Sequence, residues 1–238
     1  MTLLEILYTV QNISQVFGKN TELSLEQFNN LINVAQDEVF KEFADGYLSG
    51  NGAEVDSRVS AAMSQFIAQR SWGLGVNVAT RFGLTGKSFT VSSDVYKMLT
   101  AFVSFNIEDY PDKVYKVDIV TAQEAIERLS NAITYPTTEY PILYIDTLGS
   151  ETTKYAYLIP AATEYTGLYA MSLNYPRRAS LVLEESNGVY SQKSTSVNLK
   201  WDDGFHIDII RKMLKYLGVM VGNEFVSQYI DQQKNSEK

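Results

Sequence analysis

Apolar side chains recur at helical spacing from residue 2 to residue 17, at Leu3, Ile6, Leu7, Val10, Ile13, Val16 and Phe17, which predicts an amphipathic helix. "GKNTEL" interrupts the pattern, and "SLEQ" follows it. There Ser24 is placed as an N-cap and Gln27 at the third helical position, the arrangement of a capping box. The next stripe, Phe28, Leu31, Ile32, Ala35, Val39 and Phe43, predicts a second helix ending near Gly46. "SGNGAEVDS" reads as a loop whose Asp56 or Ser57 caps a third helix, with Val59, Ala62, Met63, Phe66 and Ile67 along one face.

After Trp72 the periodicity changes. "TGKSFTVSSDVYKMLTAFVSF" begins with alternation, and Val95 to Leu99 suggests a turn of helix inside it. "YKVDIV" predicts a strand. "TAQEAIERL" repeats the capping box with Thr121 and Glu124, opening a short helix with Ala125, Ile126 and Leu129 inward. Strand-like runs follow at "ILYID", "YAYLIP", "GLYAMSLNY" and "SLVLEE", and Asn187-Gly188 is a hairpin turn signal. "STSVNLKW" alternates strictly, with Val197, Leu199 and Trp201 on one face. A last helical pattern runs from about 204 to 231, and "QQKNSEK" is a polar tail expected to fray.

Helices first, then strands, then a closing helix predict an α+β fold. The expected division is a helical region over 1–84, a mostly antiparallel β-rich region with one short helix over 85–201, and a long C-terminal helix with its tail over 202–238, packing back on the helical region.

Composition narrows the possible functions. Of 238 residues, 45% are hydrophobic and 20% charged, and the formal net charge is -8. That charge opposes a general phosphate-binding surface. The chain has no cysteine, which excludes disulfides, a thiol nucleophile and zinc–thiolate sites. It has no basic leader and no apolar run of the ~20 residues that cross a bilayer, so a soluble protein with no membrane contact is expected. The sixteen tyrosines concentrate between residues 135 and 190. Four of the five prolines follow a tyrosine, at 110–111, 135–136, 140–141 and 175–176. Proline restricts its predecessor and cannot donate in a ladder, so these pairs should mark strand ends or edges. Tyr135, Tyr140, Tyr175 and Tyr229 are the candidate interface residues.

The candidate chemistry is thin. "GLTGKS" lacks the first glycine of a phosphate loop, because Arg81 stands there, and an alternating run follows where a helix is required; it reads as a turn. "WGLGVNV" has Val78 in place of a third small residue. Asn12-Ile13-Ser14 forms a glycosylation sequon, but on a helix. Asp45, Asn51, Glu54 and Asp56 do not follow the order of a calcium loop. Glu184 and Glu185 are adjacent on a strand and point to opposite faces, unlike a pair of glycosidase carboxylates.

"LKWDDGFHIDIIRKMLKYLG", residues 199 to 218, holds the only histidine, His206, beside Asp202, Asp203 and Asp208. A hydrolase built on Asp202, Asp203 and His206 is one reading. The other is a helix start, with Asp202 or Asp203 as the cap, His206 as a surface or capping residue of the first turn, and Asp208 reaching Lys212 across the exposed side. The second is preferred, since no other histidine shares a metal and no serine stands as a nucleophile. No catalytic, metal or cofactor residue is assigned.

Four stretches taken together, "LSLEQFNNLINVAQDEVFKEF", "IVTAQEAIERLSNAITYPTTEYPI", "LNYPRRASLV" and "SVNLKWDDGFHIDIIRKMLKYLGVMV", resemble the ring or adaptor proteins of the neck of crAss-like bacteriophages. The resemblance spans nearly the whole chain and rests on the order of the four. It implies a non-enzymatic virion protein, assembled in the bacterial cytoplasm, which binds the portal and neighbouring neck or tail ring proteins. Such proteins form a homo-oligomeric ring, commonly dodecameric, and extend the channel through which genomic DNA passes without specific binding. A carbohydrate- or receptor-binding tail module, suggested by the tyrosines and the β-rich middle, is the alternative.

Overall fold

The computed structural model describes residues 1–19, 22–50, 56–73, 78–81, 84–107, 110–147 and 154–236. Asn51, Glu54 and parts of "WGLGVNV" and "GLTGKS" lie outside them. The fold is mixed α+β, and the chain divides into two compact units, one formed by Met1–Phe66 with Tyr175–Lys238 and the other by Ile67–Asn174. These boundaries differ from the three-part division that the sequence suggests.

The first unit is mainly helical. α1 (Leu3–Val16) opens with a capping box of Thr2 and Glu5, and α2 (Leu25–Ser49) with one of Ser24 and Gln27. α3 (Ser57–Ser64) is capped by Asp56, whose carboxylate accepts from the Arg58 N–H at 2.9 Å. The C-terminal pattern forms two helices, α5 (Asp203–Tyr216) and α6 (Asn223–Ser236), instead of the single long helix expected. Gly218, at φ 75, is the reason. It takes the left-handed position after α5, its N–H bonds the Lys215 carbonyl, and Val219 N–H reaches back to Leu214. That pair of bonds is a Schellman stop. Helix α6 extends to Ser236.

Helix α2 also anchors an extended segment through amide side chains. Asn29 Oδ1 accepts from Leu181 N–H at 2.7 Å while Nδ2 donates to the Leu181 carbonyl at 3.1 Å. One turn on, Asn33 makes the same pair of bonds to Ala179, both at 2.8 Å. Gln36 Nε2 reaches the Arg177 carbonyl at 3.2 Å. The i, i+4 spacing on the helix matches the i, i+2 spacing of an extended chain, so side chains satisfy a backbone edge that would otherwise need a strand. "STSVNLKW", expected as a strand, contributes one bridge, Val197 to Ser180 on the other edge of this segment; beyond it Val182 N–H turns to the Ser196 hydroxyl instead of a backbone carbonyl. An aromatic cluster fills the space below, with Phe66 against Trp201 at 4.7 Å and Phe40 at 5.4 Å.

The second unit is an eight-stranded sheet. Its strands are β1 (Ile67–Gly73), β2 (Val78–Arg81), β3 (Leu84–Val91), β4 (Val95–Ile107), β5 (Tyr110–Val120), β6 (Ile142–Thr147), β7 (Lys154–Ile159) and β8 (Tyr165–Asn174), in the order β1-β8-β4-β5-β6-β7-β3-β2. All neighbours are antiparallel except β5 and β6, which are joined by α4 (Ala122–Ser130) as one parallel crossover. Alternation sorts the two faces. Leu143, Ala156 and Leu158 join Val103, Val117 and Leu168 in one core, while Ile142, Tyr144, Tyr157 and Ile159 face the other way with Ala125 of α4. The sheet curls, since Trp72 on β1 and Phe89 on β3, far apart in strand order, have ring centroids 6.5 Å apart.

Three expectations fail within this unit. Residues 67–73, placed in the helical region, form β1, and Ile67 belongs to that strand instead of the α3 stripe. Val95 to Leu99 is strand, not helix. Register shifts between Val95 and Lys97 and between Met98 and Thr100 insert extra residues into β4. Its buried positions Val95, Met98 and Ala101 therefore fall three apart, imitating helical spacing. "GLTGKS" is not a turn from Leu84 onward but part of β3, and a Cβ on Gly86 would lie 2.8 Å from the Leu158 carbonyl oxygen of β7. The glycine permits close approach of two backbones.

Candidate functional site

The acid–histidine stretch forms the start of α5. Asp202 occupies the N-cap position with extended φ/ψ but makes no side-chain cap hydrogen bond; its carbonyl accepts from Phe205 N–H at 2.9 Å. The Asp203 carboxylate lies 2.6 Å from the Met1 amino nitrogen and 3.3 Å from His206 Nδ1. His206 is buried, contrary to the surface position expected, because its ring turns back over the cap and Nε2 meets the Trp201 carbonyl at 3.0 Å. Burial holds its pKa below the ordinary value, the Met1 ammonium adds to this, and Asp203 opposes both. With Nε2 occupied by a backbone carbonyl and Nδ1 buried, the imidazole presents no nitrogen to a substrate. Its geometry is that of a neutral structural residue.

Asp208 and Lys212 do not pair as expected. Asp208 is buried, with Arg58 Nη2 at 2.5 Å and Asn223 Nδ2 at 3.1 Å. Lys212 turns to α2 instead, donating to Glu42 with Glu38 at 3.6 Å. Helix α5 is covered on most sides, so these two residues find separate partners on different helices. Tyr216 donates to Glu38 on the same interface, which lowers the Glu38 pKa. Among the described residues no group of three His, Asp or Glu could hold a metal ion, and no helix is long and apolar enough to cross a membrane.

The candidate interface tyrosines separate into two sets. Tyr175 and Tyr229 belong to the helical unit. Tyr175 is partly exposed but packs on Phe40 at 5.8 Å, and Tyr229 stacks on Phe225 at 6.5 Å. Tyr135 and Tyr140 belong to the sheet unit, in the 131–141 loop between α4 and β6. Thr121, with Glu124, caps the helix that leads into this loop. Asn131 Oδ1 accepts from Ile133 N–H at 3.0 Å, the Thr137 carbonyl and hydroxyl both lie 3.2 Å from Tyr140 N, and Pro136 is buried. An ordered backbone thus carries Ile133 at 93% exposure, Tyr140 at 75% and Tyr135 at 53%.

Two further surfaces carried no recognised signal in the sequence. On the sheet, Phe102, Val114, Tyr169 and Met171 are exposed, and Phe102 and Tyr169 are cross-strand partners. In the helical unit, a cleft of about 230 Å³ at the end of α5 is lined by Arg211, Lys212, Lys215, Val219, Met220 and Val221. Clustered exposed apolar groups are a means of contact with other molecules. The chain matches no protein-family model and no curated protein.

Proposed function

We propose that this protein is a non-enzymatic, ring-forming connector of a crAss-like bacteriophage neck, bound below the portal and extending the DNA channel. The 131–141 loop carries the reading. Its backbone is fixed by its own hydrogen bonds, yet it holds Ile133, Tyr135 and Tyr140 in water. A loop ordered around exposed apolar tips suits docking on another protein, since aromatic anchors on a fixed backbone lose little freedom on binding.

Two other observations support it. Of the hydrolase candidates, His206 is engaged by the Trp201 carbonyl and Asp203 by the Met1 amino group. Three of the four stretches behind the resemblance meet in one unit, where Asn29 and Asn33 hold the Ala179–Leu181 backbone and Val197 bridges Ser180. Within the virion the ring contacts the portal and its neighbouring ring proteins. The net charge of -8 keeps passing DNA from binding. The second reading, a sugar-binding module, has no exposed tryptophan among the described residues, since Trp201 is buried and Trp72 packs on the sheet core, and would rest on the exposed Tyr169 and Phe102 pair of the sheet.

Capture by the cognate portal ring tests the reading. The wild-type chain should be retained by immobilised portal, and the double substitution Ile133→Ser, Tyr140→Ser should lose most of that retention with its fold intact. Equal retention of both chains would remove the loop as the docking element. Absence of retention for the wild type would remove the connector reading.

A further inference from the structure

The helical unit has two surfaces that its own packing leaves unused. One is the hairpin of β9 (Leu183–Ser186) and β10 (Val189–Gln192), turned by Asn187 and Gly188 at φ 53 and 77. No residue from 183 to 192 is buried, and a two-stranded ribbon wet on both faces is marginal in water by itself. Alternation gives each face one carboxylate and one exposed apolar side chain, Glu184 with Val189 on one and Glu185 with Tyr190 on the other.

The other surface is the cleft at the end of α5. Glu42 and Glu38 neutralise Lys212. Arg211 and Lys215 have no hydrogen-bond or ion-pair partner among the described residues, although Lys215 lies in the field of Glu38. Val219 is buried at the cleft and Met220 stands 85% exposed at its rim. The volume, about 230 Å³, is below the roughly 300–1,000 Å³ of small-molecule pockets and suits side chains of a protein.

These surfaces lie at opposite ends of one helix pair. α1 and α5 run side by side in the same direction. The Met1 amino nitrogen is 2.6 Å from Asp203 at their start, and at their end Lys19 Nζ is 3.8 Å from where a Cβ on Gly218 would sit. The hairpin is at the start, where Gln192 Oε1 accepts from Leu4 N–H at 3.4 Å. A 14-residue helix is about 20 Å long, so the hairpin cannot fill the cleft of its own chain.

The geometry points to a head-to-tail contact between copies of this chain, in which the acidic β9–β10 hairpin of one copy docks into the basic cleft at Arg211, Lys215 and Met220 of the next. Opposite charge and exposed apolar groups are present on both sides, and a chain of net charge -8 needs such a basic spot to meet its own kind. Contacts between unlike faces repeat from copy to copy and close into a ring or extend as a filament. This contact deepens the ring reading proposed above, yet it can fail separately from portal binding.

Sedimentation velocity of the full chain, from micromolar to millimolar concentration, tests it. The wild type should assemble as concentration rises. Glu184→Lys with Glu185→Lys, or Arg211→Glu with Lys215→Glu, should each weaken assembly by about a hundredfold or more. None of the four positions is buried, and circular dichroism checks that each variant folds. Mixing the two variants should restore assembly, because each reversed surface then meets its complement, and a chain with all four reversals should assemble by itself. A monomeric wild type, variants that assemble like the wild type, or a mixture that stays monomeric would each overturn the contact. Portal capture of a monomeric wild type would reject this contact but keep the connector reading; hairpin-dependent assembly without portal capture would do the reverse.

Discussion

Replacing Asn33 by leucine tests whether amide side chains on α2 hold the Ala179–Leu181 segment in place. Asn33 Nδ2 donates to the Ala179 carbonyl and Oδ1 accepts from its N–H, both at 2.8 Å, and the Ala179 side chain is 2% exposed. Leucine has nearly the same shape and neither function, so a backbone donor and acceptor lose their partners together. An unsatisfied buried polar group costs about 1–3 kcal/mol, which places the substitution at about 2–4 kcal/mol after allowing for water reaching a part-buried site. In a Trp72→Phe background, the fluorescence of Trp201 follows the helical unit alone during urea denaturation. The stability from that transition should fall by the stated amount, and the Ala179 amide should lose hydrogen-exchange protection. Asn33→Asp keeps an acceptor for the N–H but sets a carboxylate against the Ala179 carbonyl, so it should also destabilise. A loss below about 0.5 kcal/mol for Asn33→Leu, with Ala179 still protected, would refute the reasoning.

Three more outcomes follow from the packing. Because burial depresses the His206 pKa below its ordinary 6.5, the unfolded chain binds the proton first as pH falls. The stability contributed by neutral His206 is complete above 6.5 and is lost as the pH falls from there through the depressed folded-state value. His206→Gln, which retains a donor for the Trp201 carbonyl, should flatten this part of the stability curve, and a curve parallel to the wild type would contradict the argument. Gly218→Ala places a side chain at φ 75 and should cost about 1–2 kcal/mol by urea denaturation; no cost would deny the left-handed stop. Gly86→Val puts a side chain against the Leu158 carbonyl and should cost about 1–3 kcal/mol or more, read from Trp72 in a Trp201→Phe background; an unchanged midpoint would deny the close approach of β3 and β7.

Local signals in the sequence are legible where the chemistry is local. Ser24 with Gln27, Thr121 with Glu124 and the Asn187-Gly188 turn each satisfy backbone groups within a few residues, and all three occur in the fold. The errors arise where a distant partner decides. Bulges against β8 give β4 a spacing of three, and beside the single Ser180–Val197 bridge the Val182 N–H and carbonyl go to the Ser196 hydroxyl, so the alternation around Val197 builds no ladder. The single C-terminal helix is an error of another kind, since the apolar stripe continues from Leu217 to Val221 across Gly218, which is itself a local stop signal. Asp208 and Lys212 have ideal spacing for an exposed pair, but burial of α5 on most sides gives each a different partner. The cleft at Arg211 and Lys215 was hidden with the helix stop, since it exists only once Gly218 ends α5 and turns Val219–Val221 back beside it.

Native mass spectrometry of the purified chain mixed with its cognate portal ring addresses the connector reading most directly. The account predicts one discrete species carrying one copy of this chain per portal subunit. A chain that remains a free monomer beside an intact portal ring would contradict it.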